Sequence, residues 1–376
     1  MRIGLYIHIP FCHSKCNYCD FLSFPNQVAQ VPYVEALIAE LKATGNKLGK
    51  AYTVQSIFIG GGTPTVLPPL LLDKICEAVT DYFQVEEGAE WTIEANPGTL
   101  TKEMLHVFNN HPINRISMGL QTTDNALLKK LGRIHTFEQW EESVTMLQTG
   151  TSCEISTDMM FALPGQTLED FQKSVELVSQ YGLGHLSLYA LIIEEGTPFS
   201  IWEAKGVLQR ASEEEDRQMY HWARAYLKSK GYHQYEISNW AKKGKESRHN
   251  SLYWERVPYL GVGLGAHSFF EEIRYHNVTD MKRYLEQKGN LNALREEVEP
   301  ITSQMAMEEF MFLGLRMTKG ISLSKFEALF GKSLWTVYPN QLKKWIDYKV
   351  LVQNKDSLFL SDYGMDICNE VFTSFL

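Results

Sequence analysis

The sequence predicts an α/β fold: a parallel strand–helix series, then an extension packed against it, then a small C-terminal domain of winged-helix type. Three observations carry this expectation. Short β-branched and aromatic runs recur through the first half of the chain, each followed by a Gly, Pro or Asn turn and a stretch of helical period. The runs lie roughly 20–45 residues apart, which leaves room for the crossover helix that parallel neighbours require. The pattern then shifts after about residue 200 and again near Pro300, dividing the chain into 1–200, 201–299 and 300–376.

The expected strands, in order, are Gly4–Ile9, Val54–Ile59, Trp91–Glu94, Arg115–Met118, Ile155–Phe161 and His185–Leu191. Gly60-Gly61-Gly62-Thr63-Pro64, Ala95-Asn96-Pro97-Gly98, Gly119-Leu120-Gln121 and Leu163-Pro164-Gly165 are read as turns at C-terminal strand ends, the face on which barrel enzymes build their sites. Beyond residue 200 come an acidic helix start at Glu213-Glu214-Glu215-Asp216, a basic loop with Lys242, Lys243, Lys245 and Arg248, and a glycine-rich run from Tyr259 to Ser268. A helical stretch from Gln304 to Met317, a strand pair around Leu351 and Phe359, and a last helix after Ser361 make the winged-helix order. Basic and acidic residues balance there, so this unit is read as accessory rather than as a DNA reader.

Composition narrows the function. The chain has 376 residues, 44% of them hydrophobic and 22% charged, as expected of a soluble globular protein with two or three domains. A net charge of −9 argues against a general nucleic-acid binder, which needs a basic footprint on phosphates. Cys76, Cys153 and Cys368 are scattered singly, which suits a reducing compartment. With no signal-peptide-like start and no run of about 20 apolar residues, the expectation is a cytoplasmic protein; peripheral membrane contact stays open.

Three cysteines near the N-terminus carry the chemistry. Cys12, Cys16 and Cys19 form a Cys-x3-Cys-x2-Cys run, which supplies thiolates for three irons of a four-iron cubane and leaves one iron open to a small chelating ligand. A structural zinc staple without redox chemistry is the competing reading, but no second Cys or His pair lies at finger-like distance. The glycines of the Gly60–Gly62 turn allow close backbone approach of a ligand. Glu94, Gln121, Arg133 and Asp158 sit at or just beyond strand ends, where carboxylates could grip ribose hydroxyls and an arginine a ligand carboxylate.

Together with Ile93-Glu94-Ala95-Asn96-Pro97, Arg115 to Gln121, and Asp158 with Leu163 to Thr167, these motifs resemble the radical S-adenosylmethionine (SAM) superfamily. More narrowly they resemble the branch shared by oxygen-independent coproporphyrinogen III dehydrogenase and the HemW-type haem chaperones, over nearly the whole chain. The resemblance implies a partial (β/α) TIM-type barrel of the radical SAM kind. It implies that Cys12, Cys16 and Cys19 bind a [4Fe–4S] cluster, with SAM on the open iron. Gly61, Gly62 and Thr63 would contact the methionine part; Glu94, Gln121, Arg133 and Asp158 would surround the rest; Tyr6 matches a tyrosine at the SAM site, and Ala190 and His267 match weaker contacts. An electron from the cluster would split the sulfonium, so an electron donor is implied, and a homodimer is compatible with the resemblance.

Three features separate the two branches. Where the dehydrogenases carry a further cysteine two residues after the third ligand, this chain has Phe21, and only eleven residues precede Cys12 where they have a long arm. His249-Asn250-Ser251-Leu252-Tyr253-Trp254 fits the His-Asn-x-x-Tyr-Trp motif of the haem chaperones, which implies haem cargo and haem-acceptor proteins. His249 is then expected as an axial ligand beside Tyr253 and Trp254, with Lys242, Lys243, Lys245 and Arg248 near the propionates; the bland reading is a turn-capping histidine among core aromatics. Coproporphyrinogen III oxidative decarboxylation is the alternative function.

Overall fold

The computed structural model describes residues 1–25 and 27–376. Strands β1 (Arg2–Ile9), β2 (Thr53–Gly61), β3 (Val85–Ala95), β4 (Arg115–Gln121), β5 (Glu154–Phe161) and β6 (His185–Ala190) lie side by side in chain order and pair in parallel. Each expected strand is present. On one face of β1 Ile3, Leu5, Ile7 and Ile9 are fully buried, and Gly4 and His8 on the other are buried too, as expected of a parallel strand covered on both faces.

Helices occupy the crossovers, among them Gln30–Leu48, Pro69–Tyr82, Lys102–Asn110, Phe137–Gly150 and Leu168–Ser179. Their starts are written in the sequence: Thr101 caps one, and Thr136 and Thr167 form capping boxes with Gln139 and Asp170. The sheet curls. Neighbouring strands are about 4.8 Å apart, so β2 and β5 would stand roughly 14 Å apart if flat, yet Gly61 of β2 and Asp158 of β5 line one cavity. The architecture is the expected partial barrel.

The extension does more than pack on the outside. β7 (His233–Glu236) and β8 (Asn239–Ala241) add antiparallel strands beyond β6. At the other edge β9 (Tyr259–Val262) pairs in parallel with β1, followed by β10 (His267–Phe270), β11 (Ile273–Asn277) and β12 (Arg295–Pro300). Both edges of the parallel series are thereby covered. The glycine-rich run from Tyr259 to Ser268 comprises β9, the β9–β10 turn and the start of β10. Gly263 takes φ +105 there, and a Cβ on it would lie 2.7 Å from the Tyr33 hydroxyl.

The last segment has its own core, including Phe310, Phe326, Leu342, Trp345 and Leu358. Helix Ser303–Gly314 leads into a small sheet of β13 (Ile321–Ser322), β14 (Leu351–Asn354) and β15 (Ser357–Leu360). A bridge between Glu236 and Met317 and a hydrogen bond from Thr318 Oγ1 to Gln234 O (2.9 Å) tie it to β7. Among the described residues no helix is long and apolar enough to cross a membrane.

Candidate functional site

The loop after β1 carries the three cysteines. It is closed by Cys12 N–H donating to Phe24 O (3.0 Å) and Phe24 N–H donating to Pro10 O (2.7 Å), and held to the barrel rim by Asn17 N–H on Leu131 O (2.9 Å). The thiols of Cys12, Cys16 and Cys19 are unpaired and partly buried, and they line one cavity of about 150 Å³. Gly61, Gly62 and Thr63 from the end of β2, Glu94 from β3, Gln121 from β4, Arg133 and Asp158 line the same cavity. Of the residues singled out as cofactor contacts or cluster ligands, Tyr6, Ala190, His249 and His267 lie elsewhere.

The expected turn Gly119–Gln121 proves to be the end of β4, and β2 runs through Gly61, so that its turn begins at Gly62. Both then leave the extended region, with φ +108 at Gly61 and +76 at Gln121. A side chain could not follow at Gly61 or Gly62, since a Cβ would fall 2.3 Å from the His8 ring in one case and 2.6 Å from Phe11 O in the other. Glycine is therefore required here by the close packing of the β2 end against His8 and the start of the cysteine loop, and the two residues still line the cavity.

Polar contacts fix the remaining side chains. Arg133 donates from Nη2 to Asn96 Oδ1 (2.7 Å) and Gly119 O (2.5 Å), and from Nη1 to Cys16 Sγ (3.7 Å). Its buried Nε has no hydrogen-bond partner among the described residues, a donor left for an anionic ligand group. Thr63 donates to Cys12 Sγ (3.6 Å) while accepting from Asn96 Nδ2 (2.7 Å). Asn96 was not among the expected site residues, although the Asn-Pro-Gly turn that holds it was read. Among the described residues no three or more His, Cys, Asp or Glu converge as a single metal ion requires. Three thiols around a cavity with bare glycines and an orphaned arginine donor suit a cluster carrying a small zwitterionic ligand.

Burial pushes the Glu94 carboxyl up to about 7, aided by Asp158 and opposed by the Gly61 N–H on Oε2 (2.9 Å). A carboxyl whose folded pKa lies above its unfolded value loses stability as pH rises through the folded value. Glu94→Gln, which keeps an acceptor for Gly61, should therefore match the metal-free wild type below about pH 4.5 and exceed it by about 3 kcal/mol above pH 7. Urea midpoints of both metal-free proteins at acidic and alkaline pH check this; a pH-independent difference counts against it.

A second, larger cavity of about 580 Å³ adjoins the first. Tyr6, Gly61, Glu94 and the 63% exposed Phe21 belong to its wall, and all but Tyr6 also line the cysteine cavity. Tyr6 OH bonds to His8 Nδ1 (2.9 Å), and His8 Nε2 to Leu22 O (2.9 Å). Tyr253, Trp254, Tyr259 and Phe269 give the pocket an aromatic lining, and Arg256 and Arg274 place guanidinium donors at one end, with Glu272 paired to Arg256. Glu309 of the C-terminal unit joins these arginines, accepting from Arg256 Nε (2.8 Å) and Arg274 Nη2 (2.6 Å).

His249 is placed differently from the expectation of an open ligand. Helix Arg248–Trp254 enters the barrel so that the imidazole is 1% exposed, with Nδ1 on Ser56 Oγ (2.9 Å) and Nε2 on Tyr253 OH (2.8 Å). Burial lowers its pKa to about 3, so the ring is neutral. Axial ligation there would break one of the two bonds; as placed, the ring sets the position of Tyr253. The basic loop is also displaced from its expected role. Lys242 donates to Gly182 O (3.0 Å), Arg248 to Gly88 O (2.7 Å), and Lys245 pairs with Glu154, all toward the starts of the parallel strands and away from the cavities. Ala190 closes β6 and lines neither cavity, whereas His267 lines the larger one.

A parallel partial barrel with three cysteines on the loop after its first strand, glycines after its second and an arginine–carboxylate rim defines a radical SAM protein. The Radical SAM superfamily model matches residues 6–178, and the HemN C-terminal domain model matches 301–367. The chain is 37% identical over 372 residues to the haem chaperone HemW of Lactococcus lactis subsp. lactis (strain IL1403), covering 99% of this chain and 96% of that one. Against haem chaperone HemW of Bacillus subtilis (strain 168) it is 36% identical over 373 residues, covering 99% and 98%. The chain belongs to the HemW family of the radical SAM superfamily. Membership implies a [4Fe–4S] cluster and SAM. Coproporphyrinogen III oxidase (HemN) from Escherichia coli, a radical SAM enzyme, shares the fold, with a TM-score of 0.85 at 18% identity over 99% of this chain and 89% of that one.

Proposed function

We propose that the protein is a haem-binding chaperone that delivers haem to acceptor proteins, on a scaffold that holds a [4Fe–4S] cluster through Cys12, Cys16 and Cys19 and SAM beside it. The observation that carries the reading is the aromatic pocket of about 580 Å³ with two arginines at one end, which suits a flat apolar macrocycle bearing carboxylates. When bound, the cluster and SAM supply one-electron cleavage of the sulfonium. The chain's own residues hold and shield: Arg133 Nε receives the ligand carboxylate, Gly61 and Gly62 admit it to bare backbone, and Glu94 and Asp158 meet hydroxyl or ammonium groups. Tyr6, Gly61 and Glu94 in the pocket wall put cargo and SAM within reach of each other.

In this reading residues 1–200 form the cofactor barrel, 201–299 supply most of the cargo wall, and 300–376 close it through Glu309. An electron donor serves the cluster from the loop side. Anaerobically purified protein titrated with haem should develop a saturable Soret band near one equivalent, and the same protein with reductant, SAM and coproporphyrinogen III should yield no protoporphyrinogen. Absence of a haem-dependent band overturns the chaperone reading; protoporphyrinogen formation replaces it with the dehydrogenase.

A further inference from the structure

We infer that His267 is the axial ligand to the iron of haem in the larger pocket, with Arg256 and Arg274 taking the propionates. The inference rests on the haem reading of that pocket and names the residues that grip the cargo.

Four histidines lie at or near the pocket, and their nitrogens decide between them. An imidazole ligates iron through a ring nitrogen that is unprotonated and unoccupied. His8 lines the pocket, but both nitrogens are bonded, to Tyr6 OH and Leu22 O. His249 lies behind the wall with both nitrogens bonded, to Ser56 Oγ and Tyr253 OH. His267 lines the pocket, is exposed, and neither of its nitrogens has a hydrogen-bond partner among the described residues. Its one ring contact is His276 across the β10–β11 pair, at 5.1 Å between centroids. His276 is itself engaged, with Nδ1 on Asn277 O (2.8 Å). Burial, His276 and Arg274 all lower the His267 pKa, which keeps the ring in the ligating form at neutral pH.

The register places the anion-binding end correctly. His267 pairs with His276 and Phe269 with Arg274, so His267, Phe269 and Arg274 share one face of the ribbon, with the arginine about 7 Å along from the histidine. Phe269 lies beneath both guanidinium groups, at 4.6 Å from Arg256 and 5.5 Å from Arg274. Each guanidinium has five donors, more than Glu309 and Glu272 use, so carboxylates can be added to the existing pairs. A macrocycle ligated at His267 then has its acidic edge toward the arginines and its apolar edge toward Tyr6 and Phe21.

The test is haem titration of wild type, His267→Gly and His249→Gly, each with and without free imidazole. The expected result is a shifted Soret band and roughly tenfold or greater loss of affinity in H267G, both restored by imidazole. Because the side chain is exposed, H267G should fold; His267→Gln, checked by circular dichroism, is the second variant and should show the same loss. Unchanged band and affinity in H267G and H267Q overturn the inference, as does imidazole rescue confined to H249G. Failure of the wild type to bind haem is a different result and strikes the chaperone reading first.

Discussion

Replacing Cys16 by Ser will strip iron and sulfide from the anaerobically reconstituted protein while leaving haem binding in place. With three protein thiolates, a cubane already has one iron without a cysteine; removing another leaves two irons unanchored, and an uncharged hydroxyl does not substitute for a thiolate. Cys16 also accepts from Arg133 Nη1 at 3.7 Å, so its loss removes one of the acceptors that hold that guanidinium. Iron and sulfide should fall from about four each to background, and the visible absorbance of the cluster should vanish. Cys12, Cys16 and Cys19 line the smaller cavity and not the larger one, which meets it along Gly61, Glu94 and Phe21. Haem affinity should therefore change by less than about threefold, well under 1 kcal/mol. Loss of haem binding together with the cluster would mean that cargo sits on the cluster side and that the pocket is misassigned.

The contrast between what the sequence displayed and what it concealed follows from the range of the interactions. The six parallel strands were readable because each is a local apolar run bounded by its own turn, and the helix starts at Thr136 and Thr167 announce themselves within four residues. The cysteines, Gly61 to Thr63, Glu94, Gln121, Arg133 and Asp158 were readable as a rim because strand ends of a parallel series share one face. By contrast, nothing near Arg256 or Arg274 marks either as special. They meet only because β11 folds back on β10, and Glu309, more than thirty residues later, reaches both. His249 misled for the opposite reason: its neighbours Tyr253 and Trp254 do line the pocket, but the imidazole lies one turn before Tyr253 on the same helix face, buried between Tyr253 OH and Ser56. The β9 strand was not among the expected strands, because its run is rich in glycine rather than in β-branched residues. Gly261 is needed there, since a Cβ would fall 2.1 Å from His267 O.

Glu40→Ala is expected to be among the most destabilising single changes in the chain and to weaken cargo binding without touching the pocket. Glu40 lies on helix Gln30–Leu48 and is 2% exposed. Its carboxylate accepts from Gly263 N (3.0 Å), Asn277 Nδ2 (2.6 Å) and Tyr284 OH (2.6 Å). Asn277 also donates to Gly263 O (2.9 Å), and Tyr33 OH bridges His8 O (2.7 Å) and Leu264 N (3.1 Å). These bonds are the internal brace of the turn that leads into His267. Alanine would leave three buried donors without an acceptor, at about 1–3 kcal/mol each, and open a cavity; a net loss on the order of 4 kcal/mol is a large part of a domain's stability. Glutamine keeps the volume and one oxygen, enough for Gly263 and Tyr284, but sets an amide N–H₂ against Asn277. It should fall between the two. Burial raises the Glu40 pKa despite its three donors, so the wild type's advantage over Glu40→Gln is greatest at acidic pH and shrinks as pH rises through the folded value. Denaturant unfolding of the three proteins across pH gives the order wild type, Gln, Ala. Haem affinity should fall in that order too, because the brace sets the backbone that presents His267. An alanine variant as stable as the wild type would show that the turn is held by β9 and β10 pairing alone.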